Sequence, residues 1–245
     1  MRYFFEISYR GTNFYGWQRQ KGQISVQEVI ETELQKLFRP EKIEIVGCGR
    51  TDTGVHAKQF FFHLDLNNEI DTNQVQFKLN RMLPNSISVQ HIFIVNEDLH
   101  ARFSATNRTY RYYINQDKDP FLEGSSTYFP HEINIMKMEN ACEYLMGTQD
   151  FTSFAKLHTD VKTHICTIKK ATWFAENNQL VFEVSADRFL RNMVRSIVGT
   201  LLDVGAGKFH PQEIQKIIAL KNRGAASKSV SANGLFLWKI EYPFE

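Results

Sequence analysis

Cysteine is scarce in this chain. The three it has, Cys48, Cys142 and Cys166, are odd in number, far apart, and contain no C-x-x-C pair. That argues against a disulfide framework or a structural zinc, and fits a reducing compartment such as the cytoplasm. The eight histidines show no metal spacing such as H-E-x-x-H. Neither sign of charge is in excess, and the formal net charge is only +2. Bulk charge therefore does not signal a nucleic-acid partner, and any such site must come from local clustering of Lys and Arg. The N-terminus, Met1-Arg2-Tyr3-Phe4-Phe5-Glu6, meets a charge before any long apolar region forms. Neither a signal peptide nor a membrane span is expected. A phosphate-binding glycine loop and a Ser-His-Asp arrangement are also missing.

What is present is a core. At 245 residues and 42% hydrophobic, the chain has material for one large domain or two medium ones. Tyr3 to Tyr9 reads as a strand. Gly11 to Gln20 reads as a loop with Phe14, Tyr15 and Trp17 exposed among Gly, Asn, Gln18 and Arg19. Ser25 and Glu28 form a capping box that opens a helix carrying Val26, Val29, Ile30, Leu34, Leu37 and Phe38 at helical spacing. Apolar runs at Ile43 to Val46 and Phe60 to Leu66 predict strands on either side of a glycine-bracketed loop. A helix over Thr72 to Met82 and a strand over Ile87 to Val95 complete this half.

The second half repeats the pattern: a strand at Thr109 to Asn115, a helix at Ile135 to Met146, and a hairpin of Ile165 to Ala175 and Leu180 to Ala186 turning at Asn177-Asn178. A helix follows from Phe189 to about Val204, then a shorter one opened by Pro211, then a strand at Leu235 to Glu241. The fold class expected is α+β. Two similar split β-α-β (ferredoxin/RRM-like) halves surround a mixed, mainly antiparallel sheet, with helices on one side and a cleft on the other. The boundary falls near Ala105, giving halves 1–105 and 106–245.

Three constellations can carry chemistry. The loop Gly49-Arg50-Thr51-Asp52-Thr53-Gly54-Val55-His56-Ala57 presents a carboxylate between two glycines, next to an arginine. Either it is a turn with a surface ion pair, or Asp52 does chemistry while Arg50 holds it or grips a phosphate. The strand Arg108-Thr109-Tyr110-Arg111-Tyr112-Tyr113 interleaves bases and rings, with Arg108, Tyr110 and Tyr112 on one face. It can stack unpaired bases, or simply pack a core. The helix from Phe189 carries Arg188, Arg191 and Arg195 as a stripe beside Leu190, Val194, Ile197, Val198 and Leu201. Arg195 falls at the apolar edge, where a guanidinium needs a partner, unless these arginines snorkel to water. The loop Gly11 to Gln20 either clamps a ligand or folds back over the sheet. Gly147 to Phe154 reads as a polar loop after a helix, which caps that helix and buries two phenylalanines.

Taken together, these motifs resemble the tRNA pseudouridine synthase A family. The resemblance rests on Phe14-Tyr15-Gly16-Trp17-Gln18-Arg19-Gln20, the loop Gly49 to Ala57, His100-Ala101-Arg102-Phe103-Ser104-Ala105-Thr106 running on to Arg111-Tyr112, Gly147 to Phe154, and Asn192-Met193-Val194-Arg195 with Ile197-Val198-Gly199. It implies an isomerase that converts uridine to pseudouridine at tRNA positions 38, 39 and 40, in the anticodon arm, without cofactor or metal. Asp52 matches the catalytic aspartate, Tyr110 the tyrosine that packs against the base, and Arg195 the basic partner of the aspartate, in preference to Arg50. Arg50, Arg19, Gln18, His56, Arg108 and Arg191 fall where RNA contacts are expected. A cytoplasmic homodimer, with one tRNA touching both subunits and no membrane, is also implied. Val230 stands where the family commonly has proline, and Ala155 to Thr163 departs from its usual turn. Rival readings are a non-catalytic RNA-binding protein on the same scaffold, a pseudouridine synthase with another RNA target, and an N-glycosidic hydrolase, which would want a second tuned acid or base.

Overall fold

The computed structural model describes residues 1–39, 43–157 and 161–243. They divide into two compact units, Met1–Thr106 with Phe236–Glu245, and Asn107–Leu235.

The first unit opens with β1 (Arg2–Tyr9). Tyr3, Phe4, Phe5 and Ile7 are all fully buried. Successive side chains point to opposite faces of a strand, so β1 is covered on both. α1 (Val26–Phe38) starts where the capping box places it. Ser25 is the N-cap, and its hydroxyl accepts the N–H of Glu28 at 3.2 Å. β2 (Val46–Gly47) is shorter than the apolar run from Ile43 predicts. The buried carboxylate of Glu31 accepts the N–H of Ile45 at 3.3 Å, and the Gln27 amide donates to the Ile45 carbonyl at 3.3 Å. Side chains of α1 thus take the backbone bonds that a sheet neighbour would have made. β3 (His56–Asp65), α2 (Thr72–Met82) and β4 (Ile87–Val95) follow, with Asp71 capping α2. β3 and β4 flank β1, both antiparallel to it, and β2 adds to β3.

The second unit is built on β5 (Asn107–Asn115), β6 (Thr127–Tyr128), α3 (Ile135–Cys142), β7 (Gly147–Asp150), β8 (Ile165–Glu176), β9 (Gln179–Ala186), α4 (Met193–Gly205) and α5 (Glu213–Leu220). β5, β9, β8 and β7 lie side by side, antiparallel, and β6 runs parallel to β5. Asn177 and Asn178 both take left-handed angles, φ 49° and 60°, the backbone that a tight two-residue hairpin demands. The helix expected to reach Met146 ends at Cys142 and tightens into a 3-10 turn, Glu143–Leu145. Gly147 to Asp150 is a strand rather than a loop. Its only β-branched residue is Thr148 and it has no aromatic, so it is the pairing with Ile165 to Ile168 that makes it one. Phe151 and Phe154, just beyond it, are fully buried.

α4 is the largest correction. It begins at Met193, not Phe189, because Asn192 holds a left-handed φ of 65°. Before it, the Asp187 carboxylate accepts the N–H groups of Arg188 at 2.7 Å and Thr167 at 2.8 Å, which pins the chain outside the helix. Arg188 and Arg191 are therefore not a helical stripe. Every residue of α4 except Arg195 and Asp203 is buried, so the helix is a core element rather than a surface amphipath. Gly199 permits this: a methyl there would sit 2.1 Å from the carbonyl oxygen of Lys228.

β10 (Leu235–Glu241) returns to the first unit and runs parallel to β3, with Phe236 opposite His56. The first unit is thus discontinuous in sequence, where a single cut near Ala105 assigned all of 106–245 to the second half. The α+β class and the mixed, mainly antiparallel pairing are those expected. Residues 158–160, inside the Ala155 to Thr163 departure, lie outside the described residues. Among the described residues no helix is long and apolar enough to cross a membrane.

His63 reports on the integrity of the first unit. It is buried, its ring lies 6.0 Å from Phe4 and 4.9 Å from His100, and its Nδ1 accepts the N–H of Ala101 at 3.1 Å. Burial, helped by the Arg2 charge, pushes its pKa from 6.5 down to about 4. The unfolded chain binds the proton first. Stability is therefore complete above pH 6.5 and falls as pH drops from there toward 4. The expected loss is about 3 kcal/mol. Urea midpoints measured across that range should fall for the wild type and fall less steeply for His63→Gln.

Candidate active site

The loop of Asp52 connects β2 to β3, and its shape is set by backbone contacts from the segment that follows β1. The N–H of Trp17 donates to the Thr51 carbonyl at 3.3 Å, and that of Gly54 donates to the Phe14 carbonyl at 3.3 Å. Inside the loop, the N–H of Val55 donates to the Asp52 carbonyl at 3.1 Å. The Tyr9 and Thr51 hydroxyls share a hydrogen bond of 2.9 Å. Two glycines make this approach possible. A methyl on Gly11 would lie 2.0 Å from the carbonyl oxygen of Val55, and one on Gly16 would lie 2.3 Å from that of Thr51. Gly16 and Gly54 also hold positive φ, 79° and 80°.

Of the exposed aromatics expected in this segment, Tyr15 alone is exposed. Phe14 and Trp17 are buried, and the Trp17 ring lies 4.1 Å from Phe60. They cover the sheet, so the segment is a scaffold for the Asp52 loop before it is anything else. That the two motifs touch was not foreseen. The signal was there in Gly11, Gly16 and Gly54, since paired glycines mark close backbone approach.

Asp52 itself is half-buried and Arg50 is exposed. Gln18 and Arg19 are exposed, and the Arg19 guanidinium lies 3.6 Å from both Glu28 and Glu31. His56 departs from its expected role. It is buried, its Nδ1 accepts the N–H of Gly11 at 3.0 Å, and its ring stacks on Phe236 at 4.5 Å. The imidazole fixes the loop's exit.

In the second unit, Tyr110 and Arg108 lie on β5. Tyr110 is half-buried, edge-on to Phe189 at 5.1 Å. Arg108 is also half-buried and donates from Nη1 to the Asp187 carbonyl at 2.8 Å. The segment between β9 and α4 is thus laid against the β5 strand, which the sequence reading missed by running the helix too early. Tyr112 shares their face but is fully buried, and its hydroxyl donates to the Ser231 carbonyl at 2.9 Å. Burial raises its pKa to about 12. On the opposite face Arg111 lies 2.6 Å from Glu183, which Lys170 approaches to 2.7 Å. Burial pushes the Glu183 carboxyl up, but the bonds from Lys170 and Arg111 outweigh it and hold the pKa below the usual range. That face is an internal charge network, so Arg111 is accounted for by structure.

Arg195 stands in the first turn of α4, half-buried as expected at the edge of an apolar face. A cation is disfavoured at the positive end of a helix. It is held there by the chain beyond a 3-10 turn at Arg223–Ala225: its Nε donates to the Val230 carbonyl at 2.8 Å, and the Val230 N–H donates to the Arg195 carbonyl at 3.2 Å. Asn192 is anchored to the same segment, its amide donating to the Ser229 hydroxyl at 2.5 Å. Arg191 is exposed, and its carbonyl accepts the N–H of Lys156 at 2.9 Å.

The family model for tRNA pseudouridine synthases matches residues 7–104 and 141–243. A tRNA pseudouridine synthase A of Bacteroides fragilis is 48% identical over 246 residues, covering 100% of this chain and 97% of that protein. Relatives with the same name from Parabacteroides distasonis and Bacillus subtilis are 46% and 38% identical, and cover 100% and 96% of this chain and 97% of each relative. The chain belongs to the tRNA pseudouridine synthase family and is an isomerase.

Gly16→Ala tests the loop scaffold. The added methyl meets the Thr51 carbonyl and takes an unfavourable φ, at a cost of about 1–2 kcal/mol from the backbone angle alone. If the Asp52 loop shifts to relieve the clash, turnover in a pseudouridine-forming assay should drop by about 100-fold. Unchanged turnover in a folded Gly16→Ala protein would mean that this contact does not position the loop.

Proposed function

We propose that this enzyme isomerises uridine to pseudouridine at positions 38, 39 and 40 of the tRNA anticodon stem-loop, with Asp52 as its single catalytic carboxylate and no cofactor. The observation that carries this reading is the family match on both sides of β5, together with the G-R-T-D-T-G-V-H-A loop held at each end by backbone bonds. A fixed loop carrying a half-buried carboxylate suits a reaction in which one group must meet one carbon atom. The target base lies in a stem or loop and has to be extruded to be reached.

The bond from C1′ to N1 breaks, the uracil turns, C1′ bonds to C5, and C5 gives up its proton while the freed N1 gains one. Substrate and product have the same atoms, so no co-reactant is consumed. In this reading Asp52 attacks C1′ or C6 or takes a proton from C2′, Tyr110 offers its ring to the flipped base, and Arg195 supplies the counter-charge for Asp52. Arg50, Gln18 and Arg19 on the first unit, with Arg108 and Arg191 on the second, contact the RNA. The exposed Arg50 suits a phosphate better than it suits Asp52. The enzyme works in the cytoplasm as a homodimer, one tRNA touching both subunits.

Purified protein treated with chelator should convert uridines in an anticodon-arm RNA, mapped by carbodiimide primer extension. Asp52→Ala should abolish the signal, and full activity in that variant would overturn the assignment. Arg195→Ala should leave tRNA affinity within about three-fold while lowering kcat by two orders of magnitude or more, as loss of a group acting in the transition state does. Equal losses in binding and turnover would make Arg195 a phosphate contact instead.

A further inference from the structure

The end of the first unit's sheet beyond Tyr9 carries a second feature, which no part of the proposed chemistry uses. β1 ends, β3 begins and β4 begins at the same place: Tyr9 pairs with Ala57 on one side and with Ile87 on the other. A concavity of about 210 Å³ opens there. Its rim includes Arg10, Lys58, Asn85 and Ser86, its floor Tyr9 and Phe236, and no acidic residue lines it. The N–H of Arg10 donates to the Ser86 carbonyl at 2.8 Å, which fixes these two residues side by side.

Two cations facing one small hollow repel each other, and proteins ordinarily relieve this with a carboxylate. The first unit does so elsewhere: Arg2 is held by Asp65 at 2.7 Å, and Arg19 faces Glu28 and Glu31. Among the described residues the Arg10 guanidinium and the Lys58 ammonium have no such partner. The side chains of Asn85 and Ser86 are likewise without hydrogen bonds, whereas the hydroxyls of Ser8 and Ser88 are already satisfied by each other, at 2.9 Å, and by Gln90. What remains is a planar fork, a point charge, an amide and a hydroxyl, all donors, around a space that holds one small anion. That set matches the oxygens of a phosphate ester.

We propose that this hollow binds a phosphodiester of the substrate RNA. A free inorganic anion fits the donors equally well, but the position favours RNA. Tyr9, in the floor, shares a hydrogen bond with Thr51, the residue before Asp52, and Ala57 in the lining is the last residue of the Asp52 loop motif. A phosphate held here lies on a strand that continues to the loop, and it sets how far along that strand Asp52 reaches. The inference rests on the proposed RNA substrate and adds a positioning contact to it. Arg10 and Lys58 touch the backbone of the RNA and take no part in bond-making.

The test is the salt dependence of binding in the full chain. An anticodon-arm hairpin labelled at its end is titrated by anisotropy between about 50 and 200 mM salt, where each neutralised phosphate contributes about 0.7–0.9 to the slope of log K on log salt. The pair Arg10→Gln with Lys58→Gln should lower the slope by about 1 and raise Kd roughly ten-fold. KM should rise with it, while kcat at saturating RNA stays within about two-fold. The pair Arg10→Lys with Lys58→Arg keeps both charges and should keep the wild-type slope. The proposal fails if the glutamine pair retains the wild-type slope and Kd, if the charge-preserving pair loses as much as the glutamine pair, or if kcat falls at unchanged KM. It also fails if inorganic phosphate binds the hollow but the RNA slope does not change. Failure of the proposed function reads differently: the wild type would then bind the hairpin and form no pseudouridine, and the slopes would still decide the hollow.

Discussion

Two stretches of backbone in the first unit lie closer than any side chain but hydrogen would allow, and the candidate chemistry depends on that approach. Gly11 against Val55, and Gly16 against Thr51, leave no room for a methyl group. Contact at this range lets main-chain donors and acceptors pair directly, and main chain is far stiffer than side chain. The loop carrying Asp52 is consequently fixed by bonds that rotamer changes cannot loosen. The aromatic cover of Phe14 and Trp17 then shuts water out from beneath it. Function and core meet in one feature, because the residues that bury the sheet also hold the carboxylate in place.

The second unit solves a related problem with opposite means. Arg195 is a cation placed at the wrong end of a helix and beside a core, and it tolerates both because the 227–230 segment meets it with carbonyl oxygen. That segment is tied to α4 again by the Ser227 N–H, which donates to the Thr200 hydroxyl at 3.2 Å, and it is braced from its own approach by the Arg223 guanidinium, which donates to the Ala226 carbonyl at 3.1 Å and the Ser229 hydroxyl at 3.1 Å. The N–H of Val230 is used, donating to the Arg195 carbonyl. Proline could not make that bond.

Much of this was readable from sequence because local chemistry decided it. The Ser25 cap, the Asn177-Asn178 turn, and the bounds of the helix from Thr72 and the strand from Ile87 all follow from propensity, capping and period. The misreadings have physical causes. Ile43 to Ile45 has strand character, but Glu31 takes its backbone bond. Gly147 to Asp150 has little beyond Thr148, but a neighbour makes it a strand. Phe189 to Asn192 continues a helical pattern that Asn192 interrupts with a left-handed angle. In the first two cases a group distant in sequence overrode the local preference, and in the third the interruption lies at Asn192 itself. At the site, Asp52 stood out by its glycine bracket, whereas the burial of His56 could not be seen, because its partners Gly11 and Phe236 lie far from it in sequence.

The parallel strand β10 has a consequence for how the chain is made. The first unit begins at the N-terminus, but the strand that lies along β3 is encoded after the whole of the second unit. At ribosomal rates of about 5–20 residues per second, that delay is on the order of ten seconds. For that interval the edge of β3 that will receive β10 is unfilled, and His56 lacks the ring of Phe236 against which it stacks. A nascent first unit is therefore an open-edged sheet, exposed to the strand-pairing errors that such edges invite. The loop bearing Asp52 gains the support of Phe236 only when β10 arrives, so assembly of the candidate site waits on synthesis of the whole second unit.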